Sequence, residues 1–499
     1  MKRRRCANTM RAIAGFDFPR CSGDWGAVRM LAGNAVTGMA ALLLAGCAAV
    51  SPESRMGEAG APGSWAASKE ARAGIDRKWV GKIGGGELRG LVDQALSNNQ
   101  DLKAAAARVD RASAEAKIAG ASRMPSLDLD GNGRRNRQSN IGFPGGGGAP
   151  PSNVNQQLGV NLSAAWEVDV WGRAKAGQEA AIADAQARQY EYEAARVSLA
   201  GQVTKAWLAL GEANEQVALA ETAVQAAGVL ADAVRERFDR ALADGGGTAS
   251  QVRLTEAERA TRQAALAQRG QERERVLRQL EILLGKYPSG ALAAGARLPA
   301  FPGATPAGLP SELLQRRPDI LAAERGLASS GRRVKERKLA RFPSLSLTAS
   351  GGTVSESIYD VVRSDGKVWA IGGSLTQPIF EGGRIEGEIE SAEAGERENT
   401  AILRKTVLDA FGEVEQAIVA ETYLAERERA AKQAAALAEE AATRAGEEYS
   451  AGTGDVLTLI EATTFQIDSA SQYATIRRMR LENRVDLHLA LGGDFKAEK

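Results

Sequence analysis

The chain has 499 residues, of which 44% are apolar, 25% charged and only 5% aromatic, and its formal net charge is +2. Positive and negative residues are mixed along the sequence, so nothing indicates a nucleic-acid partner. The single histidine, His488, and the three cysteines form no cluster with metal-ligand spacing, and the glycine run at 145–148 lacks the sequel of a phosphate loop. The residues therefore give no support to an enzyme, a metal site or a bound cofactor.

The N-terminus has the pattern of an exported protein. An apolar run from Met30 to Ala45 is short for a membrane span but suits the apolar region of a signal peptide. It ends in Leu44-Ala45-Gly46-Cys47, which resembles the lipobox of bacterial lipoproteins, where the new N-terminal cysteine carries a lipid. We expect a signal peptide over 1–46 and a covalent lipid on Cys47. The alternative is an ordinary signal peptide, and translation could start at Met1 or near Met30.

Helical and strand patterns follow this anchor in order. Residues 47–86 are rich in Gly, Ala, Ser and Pro, which predicts an extended tether. Helical patterns over 87–99 and 101–123 stop before Pro125. The apolar period then changes to two, which predicts a strand, a glycine- and proline-rich loop over 139–153, and a second strand. The apolar positions of these strands are Leu127, Leu129, Leu158, Val160, Leu162 and Ala164.

The longest pattern is a heptad seam in the first half of the chain. No proline occurs between Gly172 and Ala243, so this stretch predicts one helix of about 70 residues, roughly 100 Å long. A glycine-rich turn and a return helix over 249–284 would complete a long coiled hairpin. The seam has steps of four and three and consists of Leu199, Val203, Ala206, Leu210, Ala213, Val217, Ala220, Val224, Ala227, Ala231, Val234 and Phe238.

The second half of the chain repeats this plan. Met124–Leu127 returns as Phe342–Leu345 at an offset of 218 residues, and Trp171–Arg173 returns as Gly382–Arg384 at an offset of 211. A unit that occurs twice usually needs its copy to bury its apolar surface. We assign the repeats to 87–285 and 310–493, with a linker over 286–309 and a tail over 494–499.

The second copy keeps both the strands and the hairpin. Alternating apolar residues predict strands around Leu345–Ala349 and Trp369–Leu375. A second heptad seam, interrupted by Glu421 and Glu428, precedes a return helix over 456–491. The chain therefore offers four strands and two hairpins.

Four strands cannot close a barrel by themselves. Strands of about ten residues can cross a bilayer when tilted, but an open sheet edge cannot lie in lipid. Either the strands form half-buried soluble hairpins, or several chains share one barrel. A dimer would supply eight strands and a trimer twelve, both within the known range. The predicted lipid anchor favours a shared barrel.

The segment Leu309–Glu324, with Arg316-Arg317-Pro318-Asp319 at its centre, resembles the signature that opens the second repeat of TolC-like outer-membrane efflux proteins, lipoprotein branch. Pro378–Arg384, Ala410–Glu415 and Ala490–Gly493 also resemble segments of that family. Pro318 at the first helical position and Asp319 in the first turn favour a helix start over a ligand site here.

The resemblance implies a mixed α and β membrane protein. Its two repeats would each give two transmembrane β-strands and one long coiled α-helical hairpin, and a homotrimer would form a 12-stranded β-barrel continuing into a periplasmic α-barrel. Such a channel, lipid-anchored in the bacterial outer membrane, is the exit duct of a tripartite efflux pump of the resistance-nodulation-division type. Its partners would be a periplasmic adaptor (membrane fusion) protein, an inner-membrane pump and outer-membrane lipid.

Two other functions fit parts of the sequence. An outer-membrane duct of an ABC-type protein export system would share the repeats. A lipid-anchored periplasmic adaptor also contains a long helical hairpin, but it would have a single hairpin and a lipoyl-like β domain. The substrate and the identity of the pump are not encoded in any pattern of this chain.

The candidate functional residues lie at the ends of the two hairpins. The resemblance implies a periplasmic gate in Asp455–Ala462, where Leu457 would form an apolar ring and Glu461 a carboxylate ring, beside Asp455. Leu457 and Glu461 are four residues apart and so share one helix face; the alternative is that Glu461 is an ordinary surface glutamate. The expected adaptor contacts are the turn residues Gly245, Gly246, Gly247, Thr248, Gly452, Thr453 and Gly454.

Overall fold

The computed structural model describes residues 65–67, 79–139, 152–244, 248–293, 295–303, 313–360 and 364–493. The predicted signal peptide, the lipid site Cys47 and the tip glycines Gly245, Gly246 and Gly247 lie outside the described residues. The helices are α1 (Trp79–Asn98), α2 (Gln100–Ala121), α3 (Arg173–Asp244), α4 (Ala249–Leu283), α5 (Pro318–Leu339), α6 (Arg384–Ser450) and α7 (Val456–Ala490). The strands are β1 (Ser126–Ser139), β2 (Ser152–Val168), β3 (Ser344–Ser355) and β4 (Lys367–Thr376).

The predicted tether over 47–86 is wrong at its C-terminal end. Helix α1 begins at Trp79 rather than Glu87, and it continues through a kink at Gly85, whose φ is 65°. Trp79 and Val80 are buried in the same cluster as core residues of α3. The burial of apolar side chains in this Gly-rich stretch extends the helix beyond what its composition predicts. Trp65 is also buried, and its ring lies edge-on to Phe411 with centroids 6.1 Å apart.

The four strands form one antiparallel sheet in the order β1-β2-β3-β4. Its register places the predicted apolar positions on one face: Leu127 lies opposite Ala164, Ala164 opposite Ala349, and Ala349 opposite Ile371. The neighbouring row on the other face consists of Asp128, Ser163, Ser350 and Ala370. The alternation predicted from the sequence is therefore confirmed across all four strands.

Both outer strands of this sheet keep an edge without a strand neighbour among the described residues, because β1 pairs only with β2 and β4 pairs only with β3. The apolar face is also exposed in the single chain, with Leu129 72% and Ile371 79% accessible. An exposed apolar face and two open edges are costly in water and impossible in lipid unless other chains complete the sheet.

The helical rods and their seams agree with the sequence. Helix α3 has 72 residues and α6 has 67, so each is roughly 100 Å long. Seam residues such as Val203, Leu210 and Ala231 of α3 and Val414 and Ala438 of α6 are buried. By length and composition alone α3 could cross a membrane. A single such helix is weak evidence for a membrane span, and α3 packs against α1, α2, α4, α5 and α7.

The two seam interruptions, Glu421 and Glu428, pair with two arginines of the return helix. Arg480 on α7 lies 2.8 Å from Glu421 and 2.7 Å from Glu428. These three side chains are about four-fifths buried. Arg484, also on α7, lies 3.7 Å from Glu421, so two cations compensate the two carboxylates within the hairpin.

The return helix of each repeat ends where a shorter helix of the same repeat begins. In both repeats, the side chain of the residue before the shorter helix donates a hydrogen bond to the end of the return helix. Asn99 caps α2 by accepting from Leu102 N–H, and its Nδ2 donates to the carbonyl of Leu283 at the end of α4, 3.1 Å away. Arg317, 218 positions later, precedes α5, and its Nη1 donates to the carbonyl of Ala490 at the end of α7, 2.9 Å away. The repeat therefore preserves the junction while changing its residue.

A left-handed glycine ends both return helices at these junctions. Gly285 has φ 69° and Gly492 has φ 77°, and each is followed by a backbone hydrogen bond that closes the last helical turn. A Cβ on Gly285 would lie 2.5 Å from the carbonyl oxygen of Asn98, so the position has no space for a side chain. Glycine is thus required both by the backbone angle and by the close approach of the two helix ends.

The linker between the repeats is bonded to both of them. Asn214 on α3 donates to the carbonyl of Ala296 at 2.9 Å, and Arg477 on α7 donates to the carbonyl of Leu298 at 3.0 Å. The Phe301 ring lies under two guanidinium groups of α7, with its centroid 3.7 Å from Cζ of Arg480 and 4.7 Å from Cζ of Arg484. The linker therefore joins the first hairpin to the second.

Glu281 on α4 fixes the start of this linker from inside the protein. The residue is only 2% exposed, and its carboxylate accepts three backbone hydrogen bonds of 2.7 to 3.1 Å, from Gly290, Ala291 and Leu292. Burial raises the pKa of this carboxyl, but the hydrogen bonds outweigh burial and hold the pKa below its usual value.

Glu281→Gln is expected to destabilise the protein by about 2 kcal/mol, because an amide oxygen accepts these hydrogen bonds less strongly than a carboxylate does. The folded-state pKa lies below the unfolded value of about 4.3, so this contribution is complete above that pH and is lost as the pH falls through the folded-state pKa. Thermal unfolding at neutral pH and well below pH 4 should show a smaller loss on acidification for the variant than for the wild type. Glu221→Gln, at an exposed position of α3, is the matched control; equal acid sensitivity of Glu281→Gln and wild type would contradict the assignment.

Candidate functional site

The ends of the two hairpins pack against each other. Val234 of α3, Val252 of α4 and Val456 of α7 are buried in one apolar cluster. Phe238 and Tyr449 pack around this cluster. A cavity of about 80 Å³ beside it is lined by residues of both turns, among them Thr248, Gly454 and Asp455. The cavity therefore brings Thr248 of the first turn close to Gly454 and Asp455 of the second turn.

The three predicted gate residues lie at the start of α7. Asp455 is the residue before the helix, in an extended conformation and without a side-chain capping bond. Leu457 is 50% exposed in the single chain, and Glu461, one turn later, is also exposed. The side chains of Leu457 and Glu461 therefore form an uncovered stripe of α7 in the single chain.

Phe465 continues this stripe by one further turn, and the sequence reasoning missed it. Its ring is 60% exposed. Since positions 457, 461 and 465 are separated by four residues, they lie on one helix face. The spacing was readable from the sequence, but an isolated phenylalanine in a helix is ordinarily a core residue, and its exposure became visible only in the structure.

The second turn is a compact helix end. Gly452 has φ 77°, and the N–H groups of Thr453 and Gly454 both donate to the carbonyl of Glu448, at 3.0 and 2.9 Å. In the first turn the described residue Thr248 caps α4 through a capping box with Gln251. Thr248, Gly452 and Thr453 are exposed, so they are accessible to a partner in the single chain.

A cation–aromatic contact between the hairpins was not predicted. The guanidinium of Arg237 on α3 lies 4.7 Å from the centroid of the Tyr449 ring on α6. In the sequence Tyr449 is the last residue of the second heptad seam. The contact joins residues 212 positions apart in the chain, and no local pattern pairs them.

At the opposite end of the hairpins, aromatic residues surround the junction of helices and strands. Trp171 stacks on Phe342 with ring centroids 5.2 Å apart, and its indole N–H donates to the carbonyl of Pro343 at 2.8 Å. The indole N–H of Trp166 donates to the carbonyl of Arg123 at 3.1 Å. Half-exposed aromatic rings with bonded N–H groups at the ends of apolar strands are typical of a membrane–water interface.

His488 occupies a structural position. It is 4% exposed and stacks on Trp79 with ring centroids 5.5 Å apart. Within the described part of the chain, no group of three or more His, Cys, Asp or Glu side chains could hold a metal ion.

Comparison with known proteins covers nearly the whole chain. The family model described as outer membrane efflux protein matches residues 91–286 and 309–493. The pyoverdine export outer membrane protein OpmQ of Pseudomonas aeruginosa is 31% identical over 467 residues, which cover 92% of this chain and 96% of OpmQ. Outer membrane protein OprJ of the same organism is 31% identical over 481 residues, with coverage of 92% and 96%.

The fold agrees with a solved channel as well. The CmeC outer membrane channel of Campylobacter jejuni superposes with a TM-score of 0.78 at 25% identity, covering 87% of this chain and 91% of CmeC. The predicted fold class is therefore confirmed, and the alternative of a periplasmic adaptor with a single hairpin is wrong. Because the family model matches both repeats and most of the length of this chain, the chain belongs to the outer membrane efflux protein family.

Proposed function

We propose that this chain is the outer-membrane exit duct of a tripartite efflux system, which passively conducts drugs or other small toxic compounds out of the cell. One observation supports this proposal above the rest: a four-stranded sheet with an apolar outer face and two open edges continues into two hairpins of roughly 100 Å. Three such chains would close a barrel of twelve strands over a ring of twelve helical segments.

The duct would receive its cargo from other proteins. An inner-membrane pump would supply the energy, and a periplasmic adaptor would contact the tips at Thr248, Gly452, Thr453 and Gly454, together with the glycines 245–247. A groove of about 510 Å³ just above the tips supports this location. Its apolar wall includes Ala227, Leu230, Leu459 and Ile467. Export of pyoverdine by the relative OpmQ favours small molecules over proteins as cargo.

The mature protein would be held in the outer membrane by the barrel and by a lipid on Cys47. Leu44-Ala45-Gly46-Cys47 and the apolar run before it support the lipid. The closed periplasmic end would be constricted by rings of Leu457 and Glu461 from three chains, with Asp455 beside them. The exposure of Leu457 and Glu461 on one face of α7 supports this gate.

Three measurements on the full-length protein test the proposal. Wild type should label with radioactive palmitate, fractionate with the outer membrane and run as a heat-sensitive trimer on gels. Cys47→Ser should lose the label while the purified trimer still conducts ions in planar bilayers. A monomer without conductance would contradict the duct, whereas a conducting trimer that never takes up palmitate would contradict only the lipid anchor.

A further inference from the structure

On strand β1, the apolar face of the sheet carries two arginines, Arg135 and Arg137, near the end of the strand that is far from the helices. The pairing of β1 with β2 keeps one register from Ser126 to Ser139, so alternate residues stay on the same face throughout. Arg135 and Arg137 therefore share the face of Leu127 and Leu129, and both are exposed. Arg134, the residue before Arg135, lies on the opposite, polar face.

Strand β4 carries a cation at a matching height. Lys367 shares the face of Trp369 and Ile371, and it is exposed. Lys367 lies nine residues from the helix-proximal end of its strand at Thr376, and Arg135 lies nine residues from the equivalent end of β1 at Ser126. Nine residues span about 30 Å along a strand, or about 21 Å along the barrel axis at a tilt of 45°.

This height corresponds to the outer surface of the bilayer. A cation on the lipid face is strongly destabilising at the bilayer midplane but nearly neutral near the interface, and the apolar band of such barrels is about 25 Å tall. Arg135, Arg137 and Lys367 are therefore placed where the hydrocarbon ends. Lipid headgroups, rather than acyl chains, are their neighbours.

Closure of the barrel brings the two sets of cations together. β1 and β4 are the edge strands of the chain, so in the proposed trimer β1 of one protomer pairs with β4 of the next. Each of the three boundaries then contains Arg135 and Arg137 from one protomer and Lys367 from its neighbour. The acidic residue nearest to Lys367 in sequence, Asp365, lies two positions before it in a short 3₁₀ turn outside the strand, so the three cations are the charged groups on the apolar strand face itself.

We propose that each protomer boundary forms a binding site for the phosphate groups of an outer-leaflet glycolipid, the lipid A portion of lipopolysaccharide. Guanidinium groups bind phosphate oxygens through paired hydrogen bonds, and an ammonium group adds a point charge. The apolar strand face below the cations covers the acyl chains of the same lipid. The site rests on the proposed trimer, because neither protomer contains all three cations at one place.

The test counts lipid molecules bound to the purified trimer by native mass spectrometry, with bisphosphorylated lipid A as the probe. Each cation near an anionic lipid surface contributes about fivefold to binding affinity, so Arg135→Gln/Arg137→Gln should weaken lipid A binding by about 25-fold and Lys367→Gln by about fivefold. Arg134→Gln is the matched control, since it removes the same charge from the same strand on the other face, and it should bind as wild type does.

Several results would overturn the site. Equal losses in Arg134→Gln and Arg135→Gln/Arg137→Gln would show a general charge effect. Undiminished binding of dephosphorylated lipid A to wild type would show that only the apolar face binds. Displacement of the lipid by inorganic phosphate would show an unspecific anion site. Failure of wild type to form a trimer would contradict the proposed function itself, whereas a conducting trimer with unchanged lipid binding in the variants contradicts only this site.

Discussion

Replacing Arg317 with methionine is expected to destabilise the protein by about 3 kcal/mol, because it removes the cation from a buried charge cluster. The side chain is 9% exposed and pairs with Asp319 at 2.6 Å and Glu413 at 2.7 Å. Burial alone would lower the pKa of the guanidinium, but the two carboxylates raise it, so the group stays charged. Its bond to the carbonyl of Ala490 would also be lost, and this bond joins the second return helix to α5.

The effect should be visible as a lower temperature of trimer dissociation and of loss of helical signal. Arg316→Met, at the exposed preceding position, is the matched control and should shift neither temperature by much. Asn99→Ala at the equivalent junction of the first repeat should cost about 1 kcal/mol, since it removes a cap and one hydrogen bond without leaving a charge unpaired. Equal effects of Arg317→Met and Arg316→Met would refute the role assigned to Arg317.

This junction illustrates how far the sequence could predict the fold. The repeat, the helix start at Pro318 and the glycine-ended return helices were all readable, because each follows from local residue types. The bond from Arg317 to Ala490 was not, since it joins positions 173 residues apart. The helix start predicted at Arg317-Pro318-Asp319 is confirmed, yet it describes only part of what the arginine does.

Other differences have the same physical origin. In the sequence Glu421 and Glu428 only interrupt a heptad seam, whereas in the structure Arg480 of α7 pairs with both and Arg484 pairs with Glu421. The glycines around Trp79 disfavour a helix, so the sequence predicts a tether at this position. In the structure, burial of the indole ring stabilises helix α1 here. Periodicity predicts which face of an element is apolar, but the partner of a charge depends on the packing of elements far apart in the chain.

The structure places both predicted gate residues on an exposed face of α7, close to the hairpin tip. Sequence spacing placed Leu457 and Glu461 on one face of α7, and their exposure in the single chain agrees with that placement. Which face of α7 lies towards the pore depends on contacts between protomers, and these contacts are not encoded in the packing of one chain. Ion selectivity of the assembled channel therefore distinguishes a pore-lining Glu461 from a surface Glu461.

Glu461→Gln is expected to lower the preference of the closed channel for cations over anions by about tenfold, because three carboxylates in a narrow ring concentrate counter-ions at the constriction. The substitution should leave stability nearly unchanged, since the side chain is exposed. Ion selectivity of single channels in planar bilayers, measured from reversal potentials across a salt gradient, provides the readout.

Two further variants separate charge from constriction. Glu461→Asp retains the carboxylate, so it should keep the selectivity of wild type; Leu457→Ala retains the charge but shortens the apolar ring, so it should raise conductance while preserving the preference for cations. If Glu461→Gln and Glu461→Asp both left selectivity and opening as in wild type, Glu461 would be a surface residue. A constriction at Leu457 would then have to act without a carboxylate ring, and the exposed Phe465 one turn above would become the next side chain to test.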